Sequence, residues 1–177
     1  NGLMWQGSLN GSYGVLNGGL LKLGIIDEYV GWLTMPVLAL NVTAFAHVWN
    51  NLPFAAIILL ASLQAIPDDQ YQAARVDGAG LFQRFWNVTV PWLLHPILII
   101  LIYQTMLAFR VFDIIYTITG GGPAYGTTVL AWHTYMTAFG SYDFGHGNAY
   151  SYLITIITMT LAIFYIRLLY SRGDIRM

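Results

Sequence analysis

The chain has 177 residues, of which 57% are hydrophobic and 8% are charged, and its formal net charge is −1. A soluble domain has about a quarter of its residues charged. This composition and the mean hydropathy of +0.61 therefore exclude an ordinary soluble domain and predict an integral membrane protein. The net charge gives no indication of partners. Because the sequence contains no cysteine, it offers neither a disulfide framework nor a thiol metal site.

Residues 1–35 are rich in glycine and asparagine and carry scattered tryptophan and tyrosine side chains. This mixture is typical of a loop at a membrane interface, and residues 13–23 are expected to form a short helix on the surface. The alternative is a flexible terminus. We predict an outer loop over residues 1–35.

Three membrane spans are predicted, and they make the fold class all-α. Residues 29–67 contain no Asp, Glu, Lys or Arg, and about 20 apolar residues suffice to cross a bilayer, so the first span is placed at residues 36–63. Pro53 should kink this helix, because its ring removes a backbone hydrogen bond. The second span is placed at residues 96–117 and the third at residues 149–169.

Residues 119–148 are predicted to form an outer loop. The Gly-Gly-Gly-Pro run at residues 120–123 ends any helix, and residues 127–139 are expected to form a short interfacial or re-entrant helix. Residues 120–128 are glycine-rich but lack the Gly-Lys-Ser/Thr of a phosphate-binding loop, so ATP is not expected to bind here. The histidines are scattered and lack partners at metal-ligand spacing, so no metal site is expected. They are His47, His95, His133 and His146.

A polar segment at residues 67–92 separates the first two predicted spans. The aspartates at residues 68–69 can accept the first free backbone N–H groups of a helix, with Gln72 as the partner in a capping box. Gly78 offers the left-handed conformation that ends a helix. A second helix is expected over residues 79–88. Its apolar stripe, at spacings of three and four residues, consists of Leu81, Phe82 and Phe85.

Part of this segment follows a recognisable pattern. The residues that carry the pattern are Ala73, Ala74, Asp77, Gly78, Ala79, Phe85 and Pro91. They resemble the cytoplasmic Glu-Ala-Ala loop of ABC importer permeases, except that Gln72 stands where the family has Glu. The resemblance implies short helices that seat in a groove of a separate ATPase and carry its motion into the spans. An ordinary amphipathic connector is the alternative.

A second pattern lies at residues 112–123, which read Phe-Asp-Ile-Ile-Tyr-Thr-Ile-Thr-Gly-Gly-Gly-Pro. With Ile118 in place of Leu, this stretch resembles the F-D-x-I-Y-x-L-T-x-G-G-P signature of sugar-importing ABC permeases. Gly14, Asn17 and Leu20 also resemble the G-x-x-N-x-x-L of the loop before that family's fourth span. The chain is thus similar to the MalF/UgpA-like carbohydrate uptake family. Lacking an initiator Met and a signal peptide, it is expected to be a C-terminal fragment of a type I permease core.

The resemblance implies several partners. They are a second related permease, a pair of ATPase subunits, an external solute-binding protein, a carbohydrate substrate (an oligo- or disaccharide) and membrane lipid, without nucleic acid. No cofactor is expected in this chain, since ATP and Mg²⁺ would belong to the partner ATPase. An importer for glycerol phosphate, a polyol or another small polar solute is one alternative. A membrane-embedded enzyme, with His95 or His133 working beside Asp113, is another.

Arginines predict the orientation of the spans. They are Arg75 and Arg84 in the polar segment and Arg167, Arg172 and Arg176 near the C-terminal end, whereas the opposite side carries Lys22. By the positive-inside rule, the polar segment and the tail at residues 170–177 should be cytoplasmic. The resemblance implies a bacterial or archaeal cell membrane.

Polar side chains within the spans are candidates for a substrate path. They are Asn50, Asn51, Tyr103 and Gln104, followed by Arg110 and Asp113. Amides hydrogen-bond hydroxyl groups in both directions, and aromatic faces stack on sugar C–H surfaces. Hydrogen bonding between helices is the alternative for the first four. Arg110 and Asp113 are three residues apart, so on one helix face they would neutralise each other.

Overall fold

The computed structural model of the chain describes residues 2–173, with side chains up to Arg167, and its regular structure within those residues is helical. The elements are α1 (Gly2–Ser8), α2 (Val15–Lys22), α3 (Pro36–Gln64), α4 (Asp68–Val76), α5 (Leu81–Arg84), α6 (Val90–Phe109), α7 (Asp113–Ile118), α8 (Leu130–Tyr135) and α9 (Phe144–Gly173). Five-residue π-helical turns follow α5 at Phe85–Thr89 and α8 at Met136–Gly140. Residues 174–177 of the predicted tail, and the side chain of Arg172, lie outside the described part.

Three helices are long and apolar enough to cross a membrane: Pro36–Gln64, the continuous run Leu81–Phe109, and Phe144–Arg167. The first agrees with the span predicted at residues 36–63. The bounds predicted for the second, residues 96–117, are wrong at both ends, because the helix begins fifteen residues earlier and ends at Phe109. The third begins at Phe144 rather than at residue 149.

The early end of the second span has a tertiary cause. Phe112 leaves the helical conformation, with φ −135° and ψ −54°, although nothing in the local sequence forbids a helix there. Its ring lies 4.9 Å from that of Tyr135 and 5.6 Å from that of Trp132, centroid to centroid. Packing of Phe112 into this aromatic cluster therefore decides where the helix breaks.

The early start of the third span follows from a helix cap. Gly147 N–H donates to the Asp143 carbonyl oxygen at 3.0 Å, which makes Asp143 the N-cap residue. The Asp143 side chain accepts from the backbone N–H of His146 at 3.1 Å, so it satisfies one of the free donors of the first turn. A helix can therefore begin among polar residues that hydropathy assigns to a loop.

One compact unit consists of Asn1–Asn50 and Leu107–Thr158. Its buried core comprises Leu9, Ala46, Ile114, Ile115, Ile118 and Trp132. Residues of α1 pack against α7, which carries three of these core isoleucines. The unit thus holds the glycine-rich stretch of residues 119–128 against a packed apolar base.

Asn17 organises the N-terminal part of this unit. It is fully buried, its Nδ2 donates to the Val30 carbonyl oxygen at 2.9 Å, and its Oδ1 accepts from Trp32 Nε1 at 2.8 Å. Gly14 lies where a Cβ would collide with the carbonyl oxygens of Ser8 and Asn10. The predicted Gly14 and Asn17 pattern therefore has a structural role in closing residues 10–32.

The other compact unit consists of Asn51–Met106 and Met159–Met177. Tyr103 packs on Phe54 with ring centroids 4.9 Å apart, and Thr105 Oγ1 lies 3.5 Å from the hydroxyl oxygen of Tyr165. This unit contains the whole polar segment, with α4, α5 and the π-helical turn at Phe85–Thr89.

Candidate functional site

The end of α4 has the geometry of a Schellman motif. Asp77 is the C-cap residue, and Gly78 adopts φ +76°, the left-handed region that favours glycine. Ala79 N–H donates to the Ala74 carbonyl oxygen at 2.9 Å, and Gly78 N–H donates to the Arg75 carbonyl oxygen at 3.0 Å. These two bonds satisfy carbonyl groups that a helix end leaves free. The expectation that Gly78 ends the first helix is confirmed.

The beginning of α4 differs from the expectation. Pro67 is the N-cap residue, with φ −61° and ψ 136°, and Asp68 and Asp69 lie inside the first turn. The predicted capping box with Gln72 is therefore wrong, because the proline, whose φ is fixed, starts the helix. The two carboxylates instead face the positive end of the helix dipole. A capping interaction occurs further on, where Gln83 Oε1 accepts from Gly80 N–H at 2.9 Å.

The second helix of the segment was expected to end at residue 88, but it does not end there. It continues from Leu81 through the π-helical turn into α6 as one run of 29 residues. Val90 N–H donates to the Phe85 carbonyl oxygen, the i to i−5 bond of a π-turn. Pro91, which has no N–H to donate, follows directly. The polar segment is thus joined to a span by unbroken helix rather than by a loop at Pro91.

A tyrosine links the two parts of the segment. The Tyr71 hydroxyl on α4 lies 2.9 Å from Thr89 Oγ1 in the π-helical turn, and Thr89 is buried. Arg84 is half-buried, and its Nε is enclosed with no hydrogen-bond partner among the described residues. The helix α4 is therefore tethered to the base of the span at one defined point.

The segment presents large apolar side chains that the described chain does not cover. Val76 is 88% exposed, Leu81 81% and Phe82 74%. Phe85 and Trp86 are also exposed, and their rings pack edge to face at 5.5 Å. Exposed apolar groups of this size, clustered in one segment, indicate an interaction surface. Sequence reasoning found Leu81, Phe82 and Phe85 but missed Val76 and Trp86.

The residues of the Glu-Ala-Ala-like pattern lie along this surface. Gln72, Ala73, Asp77 and Gly78 are exposed, and Ala74, Ala79 and Pro91 are half-buried. Ala74 and Ala79 are joined directly by the backbone bond of the Schellman motif. The role of these residues in coupling to an ATPase stays a prediction.

Four of the candidates for a substrate path lie on two helices. Asn50 and Asn51 lie on α3 and are half-buried, and Asn50 Oδ1 is enclosed without a hydrogen-bond partner in the described part of the chain. Tyr103 and Gln104 lie on α6, where Tyr103 packs on Phe54. Their contact with a solute stays a prediction.

The expectation that Arg110 and Asp113 share one helix face is wrong. Arg110 follows the end of α6 and Asp113 begins α7, so no helix turn connects them, and both are exposed. Asp143 instead pairs with His146, whose Nδ1 lies within 4.0 Å of Asp143 Oδ2. The helix break between Arg110 and Asp113 is the reason that their i, i+3 pairing fails.

His146 lowers the pKa of the neighbouring Asp143 carboxyl group. The backbone N–H of His146 and then its ring, whose Nδ1 lies 2.7 Å from Asp143 Oδ2, hold the pKa of Asp143 below its ordinary value of 3.8. The described residues contain no cluster of three metal-ligating side chains.

The chain is similar in sequence to known proteins and in fold to solved structures. The chain is 43% identical over 174 residues to the trehalose/maltose transport system permease protein MalF of Thermococcus litoralis, covering 96% of this chain and 57% of the relative. It is 35% identical over 171 residues to the sulfoquinovosyl glycerol transport system permease protein SmoG of Agrobacterium fabrum, covering 97% and 55%. The chain thus spans somewhat more than half the length of these relatives.

A crystal structure of a bacterial ABC transporter involved in the import of the acidic polysaccharide alginate matches with a TM-score of 0.84 at 21% identity. The match covers 96% of this chain and 59% of the other. This likeness shows that the chain has the all-α fold of the matched transporter chain. The resemblance seen in the sequence patterns is confirmed at the level of the family. With residues 14–174 matched, the chain belongs to the family of inner membrane components of binding-protein-dependent transport systems.

Proposed function

We propose that this chain is part of the permease subunit of an ATP-driven importer and forms part of the translocation pathway for a carbohydrate delivered by an external solute-binding protein. The observation that carries the proposal is the uncovered apolar surface of the polar segment, where α5 is continuous with a span. The names of the relatives from Thermococcus litoralis and Agrobacterium fabrum support a sugar or a sugar derivative as the solute.

The polar segment would dock a separate ATPase subunit. Burial of Val76, Leu81 and Phe82 in a groove of that subunit would contribute about 1.5–3 kcal/mol for each side chain, less the cost of association. Because α5 continues into α6 without a loop, displacement of the docked surface would move the span as a rigid rod. Closure of the ATPase pair would thereby open the spans outward and admit the sugar.

Gln72 would meet the ATPase differently from a glutamate. An amide hydrogen-bonds but carries no charge, so it lacks the ion pair that a carboxylate would form with a basic group. Gln72 is exposed on α4, where it can reach a docked partner. The backbone shape set by Gly78 and the flanking alanines would remain sufficient for docking.

The other partners and the orientation follow from the same proposal. A second related permease would complete the pathway, and ATP and Mg²⁺ would bind to the ATPase pair rather than to this chain. Arg75 and Arg84 in the polar segment, together with Arg167 near the end of α9, support a cytoplasmic segment and C-terminal end. The membrane would be that of a bacterial or archaeal cell.

Two alternatives differ in the support they have. A glycerol phosphate, polyol or other small polar solute keeps the same importer, although a phosphate would favour several cationic groups along the path, and Arg110 is a single one. A membrane-embedded enzyme that uses His95 or His133 beside Asp113 has no support from the family. His133 instead packs against Tyr150, with ring centroids 5.1 Å apart and ring planes tilted by 54°.

The test is affinity purification from native membranes in mild detergent, with a tag after Met177 and mass identification of the partners. Recovery of an ATPase, a second permease and a solute-binding protein is expected. Leu81→Asp should release the ATPase, whereas Leu23→Asp, at an equally exposed leucine outside the segment, should retain it. Recovery of the chain without an ATPase would contradict the proposal.

The substrate path has its own test in transport. Asn51→Ala and Gln104→Ala should each lower uptake at limiting sugar while ATPase recovery is unchanged. Normal uptake by both variants would remove these residues from the path and leave the docking surface in place.

A further inference from the structure

The glycine-rich stretch after α7 forms an open groove of about 290 Å³. Its lining includes residues 120–122, Tyr125 and Thr128, together with Trp132 and His133 of α8. All of them belong to the same compact unit. The volume is near the lower limit of small-molecule sites, about 300 Å³, so the groove has room for one ring-sized group.

Hydrogen bonds fix the loop that forms this groove. Thr127, which is fully buried, donates from Oγ1 to the Gly122 carbonyl oxygen at 2.7 Å and lies 2.7 Å from Thr119 Oγ1. Thr128 Oγ1 donates to the Gly121 carbonyl oxygen at 3.2 Å. A loop tied at three points holds its shape without a ligand, so the groove is preformed.

Trp132 places an unused donor at the groove. The residue is 92% buried, since its exposed fraction is 8%, and its ring packs in the aromatic cluster of α7 and α8. Its indole N–H has no hydrogen-bond partner among the described residues. A Cβ on Gly121, which adopts φ +84°, would collide with Trp132 Nε1. Glycine at this position therefore allows the backbone of residue 121 to approach the indole nitrogen closely.

The remaining lining groups complement a polyhydroxylated ring. Thr128 donates its hydroxyl hydrogen to Gly121, so its oxygen is still available as an acceptor beside the Trp132 donor. Tyr125 is 87% exposed and presents an aromatic face. No Asp, Glu, Lys or Arg lines the groove in the described structure, so an ion is not the ligand that this chemistry favours.

We propose that this groove binds one saccharide ring. Trp132 Nε1–H and Thr128 Oγ1 would hydrogen-bond neighbouring sugar hydroxyls, and the Tyr125 ring would cover a C–H face of the sugar. This inference rests on the proposed function, in which residues 119–148 face outward. The groove would then hold a terminal ring of the solute at the entrance, apart from the residues suggested for the path within the spans.

The test is saturation-transfer difference NMR on the full chain in lipid nanodiscs, with maltose and trehalose as the probes and without any glycoside detergent. Both sugars should show transfer with the unmodified chain. Tyr125→Ala should weaken binding about threefold to tenfold, the range for loss of one aromatic contact. Trp132→Phe, which keeps a ring but removes the donor, should also weaken it.

Tyr142→Ala is the matched control. Tyr142 is 78% exposed with φ +57°, close to the φ of +60° at Tyr125, and it does not line the groove in the described structure. No sugar transfer with the unmodified chain, or equal binding by the Tyr125→Ala and Tyr142→Ala variants, would overturn the proposal.

Uptake by the complete importer separates the two proposals. Normal uptake of the solute together with absent sugar transfer would refute the groove while the proposed function stands. Failure to recover an ATPase, together with sugar transfer that depends on Tyr125, would refute the importer while the saccharide site stands.

Discussion

Replacement of Gly78 by valine should abolish docking of the ATPase. The helix α4 ends through the left-handed conformation of this residue, which L side chains rarely adopt. A Cβ at Gly78 would meet no described atom within 4 Å. The substitution therefore acts through the backbone conformation and through any partner that approaches it, and not through a clash within the chain.

The size of the effect on docking depends on the backbone strain at residue 78 and on the strength of the hydrogen bonds that hold the motif. A left-handed residue other than glycine costs about 1–2 kcal/mol. The two backbone bonds of the Schellman motif, at 2.9 and 3.0 Å, contribute about 0.5–1.5 kcal/mol each. For Gly78→Ala the two terms nearly balance, so about half of the molecules retain the motif and docking weakens by about twofold. For Gly78→Val the β-branched side chain makes the left-handed conformation a severe outlier, so the motif unwinds.

Gly24 provides a matched control for the assay. It adopts φ +66° after α2, Gly24 N–H donates to the Leu21 carbonyl oxygen at 3.1 Å, and Ile25 N–H donates to that of Leu20 at 3.0 Å. No described atom lies within 4 Å of a Cβ there either. The amount of ATPase that co-purifies with each variant should fall for Gly78→Val and stay normal for Gly24→Val. Equal recovery with both would contradict a role of the Gly78 conformation in docking.

Three further changes test particular contacts. Asn17→Ala leaves buried backbone and indole groups without partners and should destabilise the fold by about 2–4 kcal/mol, seen as a lower thermal transition in nanodiscs; Asn41→Ala, at an exposed asparagine, should not. Asp143 has a lowered pKa, so its stabilising effect is complete above pH 3.8 and is lost as the pH falls through the lower folded pKa. The difference in transition temperature between the unmodified chain and Asp143→Asn should therefore be constant from pH 5 upward and shrink below pH 4, and a difference that is constant down to pH 2 would contradict this. Tyr71→Phe removes the bond to Thr89 and should lower the sugar transported for each ATP hydrolysed while the complex still assembles; an unchanged ratio would show that this tether does not transmit motion.

Local chemistry made the end of α4 predictable. A glycine directly after a helix-forming run has one common structural use, and Gly78 takes it. The start of the same helix was harder to predict, because Pro67 and the two aspartates are each acceptable at a helix N-terminus. In the structure the proline occupies the cap and the aspartates occupy the first turn.

The bounds of the spans show where sequence reasoning fails. Residues 110–112 contain neither Gly nor Pro, and the break there depends on aromatic packing of Phe112 with residues 20 or more positions away. The sequence analysis also did not predict the π-helical turn at Phe85–Thr89. Pro91, shortly after this turn, could have indicated an irregularity in the helix. The cap at Asp143 could have been found, because Asp is a common N-cap residue.

Polar side chains within the spans differ in how they are hydrogen-bonded. Hydroxyl groups satisfy themselves within their own helix, as when Thr43 Oγ1 donates to the Ala39 carbonyl oxygen at 2.7 Å and Thr105 Oγ1 donates to that of Leu101 at 2.7 Å. Such residues are tolerated facing lipid, because no polar group is left unpaired. An asparagine amide has more groups to satisfy, and the enclosed Oδ1 of Asn50 has no partner among the described residues. Since an unpaired buried acceptor costs about 1–3 kcal/mol, we expect this oxygen to be paired by a group beyond the described residues, such as water, a neighbouring helix or the solute.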